Sequence, residues 1–345
     1  MAVVFIDGFD AYNGVVSTTI GNIRTGWGPV GDSVGIVTGR FGGQAVKNGG
    51  GSGTTNVLGK SISPLTQGTL GFAIKFTSMP TNASWPCLVG LADSTSGIAI
   101  HFATDGSLKL ISSTNMSTAS TTYATTSAGL IVVNTWYYVE LEFTIANAGG
   151  ILNLYLNGTQ VSSGTYDTQV GTAATVSTLY LGSTNSLGIG IYNIDDLYLT
   201  NTPTKLGEQR VETLYPNADT AQKQWTASTG VDNYAMVDET LMSVTDYVSS
   251  NTIGSFDLYD FGNLTSTPSS INAVVVNALM QKDNIGTRAI AATIKSGSIT
   301  LDGSNVYLNT GYNLNTRVLE TDPNTSGAWT ASAVNSIQAG VKVTI

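Results

Sequence analysis

Glu140 and Glu142, separated by Leu141, are the nearest approach in this chain to an acid and base pair. Cleavage of a glycosidic bond uses two carboxyl groups flanking the bond, about 5 to 9 Å apart. On a strand both side chains would point to one side. No aspartate lies between them and no third carboxylate follows at strand spacing. A solvated strand face is therefore the preferred reading, and no catalytic residue is assigned. Glu208, Glu212, Glu239 and Glu320 form no comparable pair. His101 is the only histidine and lies in the alternating run Ile98-Ala99-Ile100-His101-Phe102. A Ser-His-Asp triad would need a nucleophile-elbow motif that the chain lacks, so a partly buried or exposed strand histidine is expected. Asp195-Asp196 is the best metal candidate, because calcium prefers carboxylate oxygens. The alternative is that one aspartate caps neighbouring strand ends and the other is solvated. Cys87 is the only cysteine, which excludes an intrachain disulfide and a multi-cysteine zinc site.

The elements that must carry these residues read as β-structure. From Trp136 to Val161 the side chains alternate: Tyr137, Val139, Leu141, Phe143 and Ile145 fall on one face, and Tyr138, Glu140, Glu142 and Thr144 on the other. Leu152, Leu154 and Leu156 continue the apolar face, and Asn157-Gly158 supplies the positive φ angles of a tight turn. Short β runs with glycine and Ser/Thr punctuation fill the chain to about residue 200. Asn201-Thr202-Pro203-Thr204-Lys205-Leu206-Gly207 reads as a linker. This predicts one domain over residues 1–203 and a second β domain over 204–345. In the second, Ala273 to Leu279 reads as a central strand buried on both faces. Thr330 reads as the N-cap of one short helix that Gly340 stops. Asp105-Gly106 and Asp302-Gly303 read as hairpin turns.

Only 11% of the 345 residues are Asp, Glu, Lys or Arg, against a globular average of about 25%. The surface must be built from Ser, Thr, Asn and Gly. The net charge of -9, with no basic run, disfavours nucleic acid and anionic membranes. The N-terminus lacks a basic segment and a long apolar run, so no signal peptide is expected. No stretch of about 18 apolar residues suggests a spanning helix.

Arg40-Phe41-Gly42-Gly43-Gln44-Ala45-Val46, Leu70 to Phe76, the Trp136 hairpin with Tyr155-Leu156-Asn157-Gly158, and Ile194-Asp195-Asp196-Leu197-Tyr198-Leu199 occur in the order and spacing of a known family. With these pieces the first domain resembles the concanavalin A-like lectin/glucanase sandwich in its laminin-G-like form. The resemblance implies an all-β fold, a jelly-roll sandwich followed by a second β-sandwich, and rim loops of the kind that hold calcium. Calcium is the only cofactor it suggests, at Asp195 and Asp196. A sugar-binding sandwich needs exposed aromatic rings to stack on a pyranose. Trp27 and Trp85, both in loops, are the candidates, whereas Trp136 at the head of its strand reads as core. Trp225 and Trp329 read as anchors of the second domain.

The opening Asp7-Gly8-Phe9-Asp10, with Arg210-Val211-Glu212-Thr213-Leu214-Tyr215-Pro216-Asn217, Gln224-Trp225-Thr226, Asn233-Tyr234-Ala235, Glu320 to Asn324 and Ala328-Trp329-Thr330, resembles tailed-bacteriophage structural proteins that carry such a domain. That resemblance implies a non-enzymatic virion component, assembled in a host cytoplasm as a homo-oligomer, with a trimer favoured. Its partners would be other virion proteins. The alternative is an adhesin that attaches the particle to host surface glycans.

Overall fold

The computed structural model describes residues 2–12, 23–28, 31, 33–49, 56–82, 87–114, 116–117, 120–183 and 188–345. Two compact units divide between Val211 and Glu212.

In the first unit the strands, numbered in chain order, are β1 (Val3–Asp7), β2 (Gly35–Thr38), β3 (Gln44–Gly49), β4 (Asn56–Leu65), β5 (Gln67–Ser78), β6 (Cys87–Ala92) and β7 (Gly97–Phe102). They continue with β8 (Leu108–Ser112), β9 (Thr121–Thr125), β10 (Trp136–Thr144), β11 (Gly150–Leu156), β12 (Thr159–Tyr166), β13 (Val176–Ser183) and β14 (Ile191–Thr200). One sheet runs β12-β11-β10-β5-β14-β3-β2, with β1 also on β14; the other runs β4-β13-β6-β7-β8-β9. All recorded pairings are antiparallel.

The inner face of the first sheet holds Leu70, Phe72, Ile74, Phe76, Val139, Leu141 and Phe143, all fully buried. Phe76 meets Phe102 of the other sheet with ring centroids 5.3 Å apart, so the two apolar faces close on one another as a jelly-roll sandwich. The alternation read from the Trp136 hairpin therefore sets which side chains enter the core. Asn157 (φ 49°) and Gly158 (φ 79°) make the turn between β11 and β12, and Asn157 Oδ1 accepts a hydrogen bond from Tyr138 N at 2.8 Å. The Asp105-Gly106 turn likewise joins β7 to β8.

The second unit contains β15 (Pro216–Lys223), β16 (Thr226–Ala227), β17 (Val248–Ser249), β18 (Phe256–Phe261), β19 (Val274–Met280), β20 (Ala289–Ser296), β21 (Ile299–Asp302), β22 (Val306–Tyr307), β23 (Asn313–Leu319) and β24 (Gln338–Val343). A sheet ordered β15-β18-β24-β20-β21, with β22 on β20, forms one layer. The β19–β23 ribbon packs on it through Val276 and Leu319, which share a cluster with Ala292, Ile294, Trp329, Ile337 and Ala339. Segment 273–279 is thus half of a two-stranded ribbon with several half-buried side chains, not a strand buried on both faces. Its apolar run instead serves one packed layer and one solvated side. Thr330 caps a helix as expected, accepting from Ala333 N, but the helix is only Ala331–Val334. Gly340 lies inside β24, where a Cβ would sit 1.9 Å from Asp257 O; it permits close strand packing rather than stopping a helix. Asp302-Gly303 leads from β21 to β22 on the same edge of β20 and closes no hairpin of its own.

Asp257, fully buried, organises this unit. It accepts from the backbone N of Gln224 (2.6 Å) and Trp225 (2.9 Å), from Asn233 Nδ2 (2.6 Å) and from Tyr259 OH (3.1 Å). Among the described residues no helix is long and apolar enough to cross a membrane.

Candidate functional site

The outer face of the first sheet gathers Trp136 and the two glutamates singled out from sequence. On β10 it carries Trp136, Tyr138, Glu140 and Glu142, paired with Lys75, Ala73, Gly71 and Thr69 of β5. Tyr198 of β14 lies over Gly71, where a Cβ would come 2.1 Å from the ring; only glycine lets the ring lie flat on the sheet there. Trp136 is half-buried on this outer face, with Lys75 Nζ 4.9 Å from its ring centre. It is not a core residue, because the core side of β10 belongs to the odd-numbered positions.

Glu140 and Glu142 do share a face, but they are not solvated: they are 1% and 8% exposed. The cover is the segment read as a linker. Lys205 N donates to Glu142 Oε1 (3.0 Å), Leu206 N to Tyr198 OH (3.0 Å) and Gly207 N to Glu140 Oε1 (2.8 Å). Tyr198 OH donates to the same Glu140 oxygen at 2.5 Å. Asn153 Nδ2 and Tyr155 OH donate to Glu142 Oε2 at 3.0 and 3.1 Å. Successive backbone N–H groups, with Gly207 in the left-handed region (φ 80°), form an anion-binding concavity. This is how two buried carboxylates are tolerated side by side. Leu206 packs against Ala73, Tyr138 and Tyr198, and Lys205 Nζ lies 4.9 Å from the Tyr155 ring centre. The predicted boundary at 203/204 therefore moves to 211/212, since residues 204–211 are a strap laid on the first unit. Polar turn residues gave the strap the look of a linker; its backbone donors, which composition does not display, decide its place.

At the far end of the strap lie Asp195 and Asp196. A register shift in β14 between Asp195 and Tyr198, with Asp196 at φ 49°, brings both carboxylates to bear on neighbouring backbone. Asp195 accepts from Arg40 N (2.7 Å) and Asp196 N (2.8 Å). Asp196 accepts from Val211 N (2.8 Å) and pairs with Arg40 Nη1 (3.4 Å). Arg40 also pairs with Glu208. Both aspartates are buried, so neither is the solvated member of the alternative reading. Among the described residues no three His, Cys, Asp or Glu side chains are grouped to hold a metal ion. As a calcium centre the pair would have to exchange these internal donors for the ion.

Burial first, then the charge of Asp196, pushes Asp195 up to about 7. Burial likewise pushes Asp196 up to about 6, against the pull of Val211 N and Arg40. Both lie above the ordinary 3.8, so the folded chain holds protons that the unfolded chain releases. The stabilisation from these sites is complete below about pH 4 and is lost as pH rises through 6 to 7, with a slope of at most about 1.4 kcal/mol per pH unit for each proton. His101 works in the opposite sense: burial, aided by Lys109, lowers it to about 4, so its neutral folded form costs stability as pH falls below about 6.5. The difference between the parent chain and Asp195→Asn cancels the histidine. Denaturant titrations from pH 5 to 8 should show the parent losing stability relative to the variant as pH rises; a constant difference would refute the assignment.

The stacking candidates fare differently. Trp27 is 3% exposed, stacked on Phe9 (5.8 Å, 29°) and edge-on to Phe5 (5.5 Å, 77°), with Nε1 donating to Asp7 Oδ2 at 2.8 Å. It offers no ring face to a ligand, because the loop that carries it is pinned to the opening motif. Trp85 lies outside the described residues. His101 is buried rather than exposed.

The opening motif itself is a lock that sequence reasoning did not resolve into roles. Asp7 accepts from Phe9 N, Tyr12 OH and Trp27 Nε1, each at 2.8 Å, and Phe9 sits at φ 61°. Asp10 Oδ1 accepts from Gln44 N at 2.7 Å, where Gly43 has no room for a Cβ. Gly8 lies against Val211, which would stand 2.9 Å from a Cβ at that position.

Residues 48–197 match the family described as the concanavalin A-like lectin/glucanases superfamily. No curated protein matches the chain. Among solved structures it is similar to a mutant of alginate lyase Aly36B in complex with alginate tetrasaccharide, at 12% identity and TM-score 0.39 over 58% of this chain and 98% of that one. It is similar to the binding domain of Paraclostridial Mosquitocidal Protein 1, at 16% identity and TM-score 0.40 over 59% and 49%. It is also similar to domain 4 of AbnA, a GH43 extracellular arabinanase from Geobacillus stearothermophilus in complex with arabinotriose, at 19% identity and TM-score 0.38 over 57% and 91%. Two antiparallel sheets closed face to face, with the matched residues 48–197 lying inside them, give the first unit a concanavalin A-like jelly-roll fold.

Proposed function

We propose that this chain is a non-enzymatic structural component of a tailed phage particle, an oligomeric surface appendage or decoration. The observation that carries the non-enzymatic part is the engagement of Glu140 and Glu142. Between them the two carboxylates receive Tyr198, Tyr155, Asn153 and the backbone of the strap. A general acid must reach a leaving-group oxygen and its partner must reach the sugar or a water; neither carboxylate has open access. The virion part is supported by the resemblance of Asp7 to Asp10 and of Arg210 onward to phage structural proteins. These two segments meet at the Gly8–Val211 contact. A surface poor in charge suits packing between identical copies, since few ionic groups must be desolvated. Mass spectrometry of purified, washed particles should find this chain in stoichiometric amount. Its absence from particles whose other structural proteins are recovered would overturn the reading.

The second reading is an adhesin for host surface glycans, favoured by the lectin/glucanase family match of residues 48–197. Trp27 is in the core, so substitution there does not test sugar stacking. Phe41, 52% exposed and flanked by Arg40 and Arg210 at 4.8 and 4.9 Å, is the open aromatic ring beside the strap. Saturable binding of the full chain on a glycan array, lost in Phe41→Ala, would favour the adhesin; an array with no signal would leave the packing role.

A further inference from the structure

The strap is held in a way that does not depend on its belonging to the same copy. Its four recorded backbone donors, the N–H groups of Lys205, Leu206, Gly207 and Val211, go to Glu142, Tyr198, Glu140 and Asp196 of the sheet face. Leu206 and Lys205 add apolar and cation–π packing on the sheet face, and Arg210 stacks on Phe41 beside it. The face is therefore a built seat for an extended peptide of this chemistry. Glu140 Oε2 is buried beneath it with no hydrogen-bond partner, which makes the seat dependent on being covered.

The strap reaches this seat by doubling back over the strand that precedes it. Thr200 ends β14 opposite Thr69, which pairs with Glu142; Tyr198 lies opposite Gly71, which pairs with Glu140. Lys205 thus lies level with the end of β14, and Val211 has returned to Asp196. The reversal is confined to Asn201-Thr202-Pro203-Thr204, closed by Thr204 N donating to Thr202 O at 2.8 Å, with the Thr69 and Thr200 hydroxyls on the same carbonyl at 2.9 and 3.0 Å. The residue before a proline is biased towards extended backbone. A short, tight hinge is the feature that permits an element to be exchanged between identical chains, because opening it preserves every docking contact in trans.

We propose that in the homo-oligomer the segment Lys205–Val211 docks on the Glu140/Glu142/Tyr198 face of a second copy, so that copies are joined by exchanged straps. This rests on the oligomeric reading given above and says how its copies are held together. The test uses the full chain, co-expressed with two different affinity tags, one version carrying a photoactivatable leucine analogue at position 206. Mixed oligomers are isolated through both tags and irradiated. Exchange predicts a denaturation-resistant two-chain product bearing both tags, with the cross-link mapped to the Tyr138 or Tyr198 peptide of the unmodified chain. Mixed oligomers that yield only within-chain cross-links to those peptides would overturn exchange while leaving oligomerisation intact. A native mass of one chain, and no doubly tagged species, would overturn both. Lengthening the hinge with Gly-Ser pairs after Thr202 relieves the tight reversal; it should reduce the two-chain product without altering strap protection within the fold. An undiminished product would contradict the role given to the hinge.

Discussion

Trp27→Ala is expected to destabilise the first unit by about 3–5 kcal/mol, the range for removing a buried large aromatic. The substitution removes the stack on Phe9 and the edge contact with Phe5 and leaves Asp7 one donor short. Asp7 is already pushed upward by burial, against the pull of the Trp27, Phe9 and Tyr12 hydrogen bonds. Losing the indole N–H withdraws the foremost of those pulls, so the variant should also favour the protonated carboxyl. Guanidinium unfolding followed by tryptophan fluorescence and far-ultraviolet circular dichroism measures the change. A loss under about 1 kcal/mol would show that the loop is not packed as described, and would return Trp27 to the list of surface rings.

Glu140→Ala is the second large effect, about 2–4 kcal/mol, from leaving the Tyr198 hydroxyl and Gly207 N–H without their acceptor. Removing the unpartnered Oε2 along with them offsets part of this. Glu140→Gln separates the contributions, because an amide oxygen can still accept from both groups while the charge is gone; its loss should be smaller. Limited proteolysis gives an independent check. In Glu140→Ala the strap should become cleavable after Lys205 or Arg210 while the sheets stay resistant. If the alanine variant is as stable and as resistant as the parent, the carboxylate is not what holds the strap.

The strands of the first unit were readable because their side chains alternate between a core and a second face, and Asn157-Gly158 marks its own turn. The outer face misled for a physical reason. A strand face bearing Glu140, Glu142 and Tyr138 has the same composition whether it meets water or a covering peptide. What distinguishes the two is the donors of residues 205–207, and those are backbone groups. Trp27 misled in a similar way: glycine and proline neighbours mark a loop, but not whether its aromatic ring is turned inward to a carboxylate twenty residues away. In the second unit, the apolar run Ala273 to Leu279 shows that a strand forms there, but not that its partner is the single strand β23. Asp257, the residue that ties several of its loops together, carries no local signal, since its partners are backbone and side-chain groups brought in from other segments. The short helix after Thr330 was legible at its start, where the cap is a local hydrogen bond, and not at its end, where sheet pairing of β24 takes over.

Amide hydrogen exchange in the full chain tests the central claim, that Glu140 and Glu142 are structural acceptors beneath a docked strap. The account predicts that the amides of Lys205, Leu206, Gly207 and Val211 exchange as slowly as those of β10, and that Glu140→Ala releases the first three together. Exchange of these amides in the parent chain at the rate of an open loop would contradict it, and would leave the carboxylate pair exposed to a substrate.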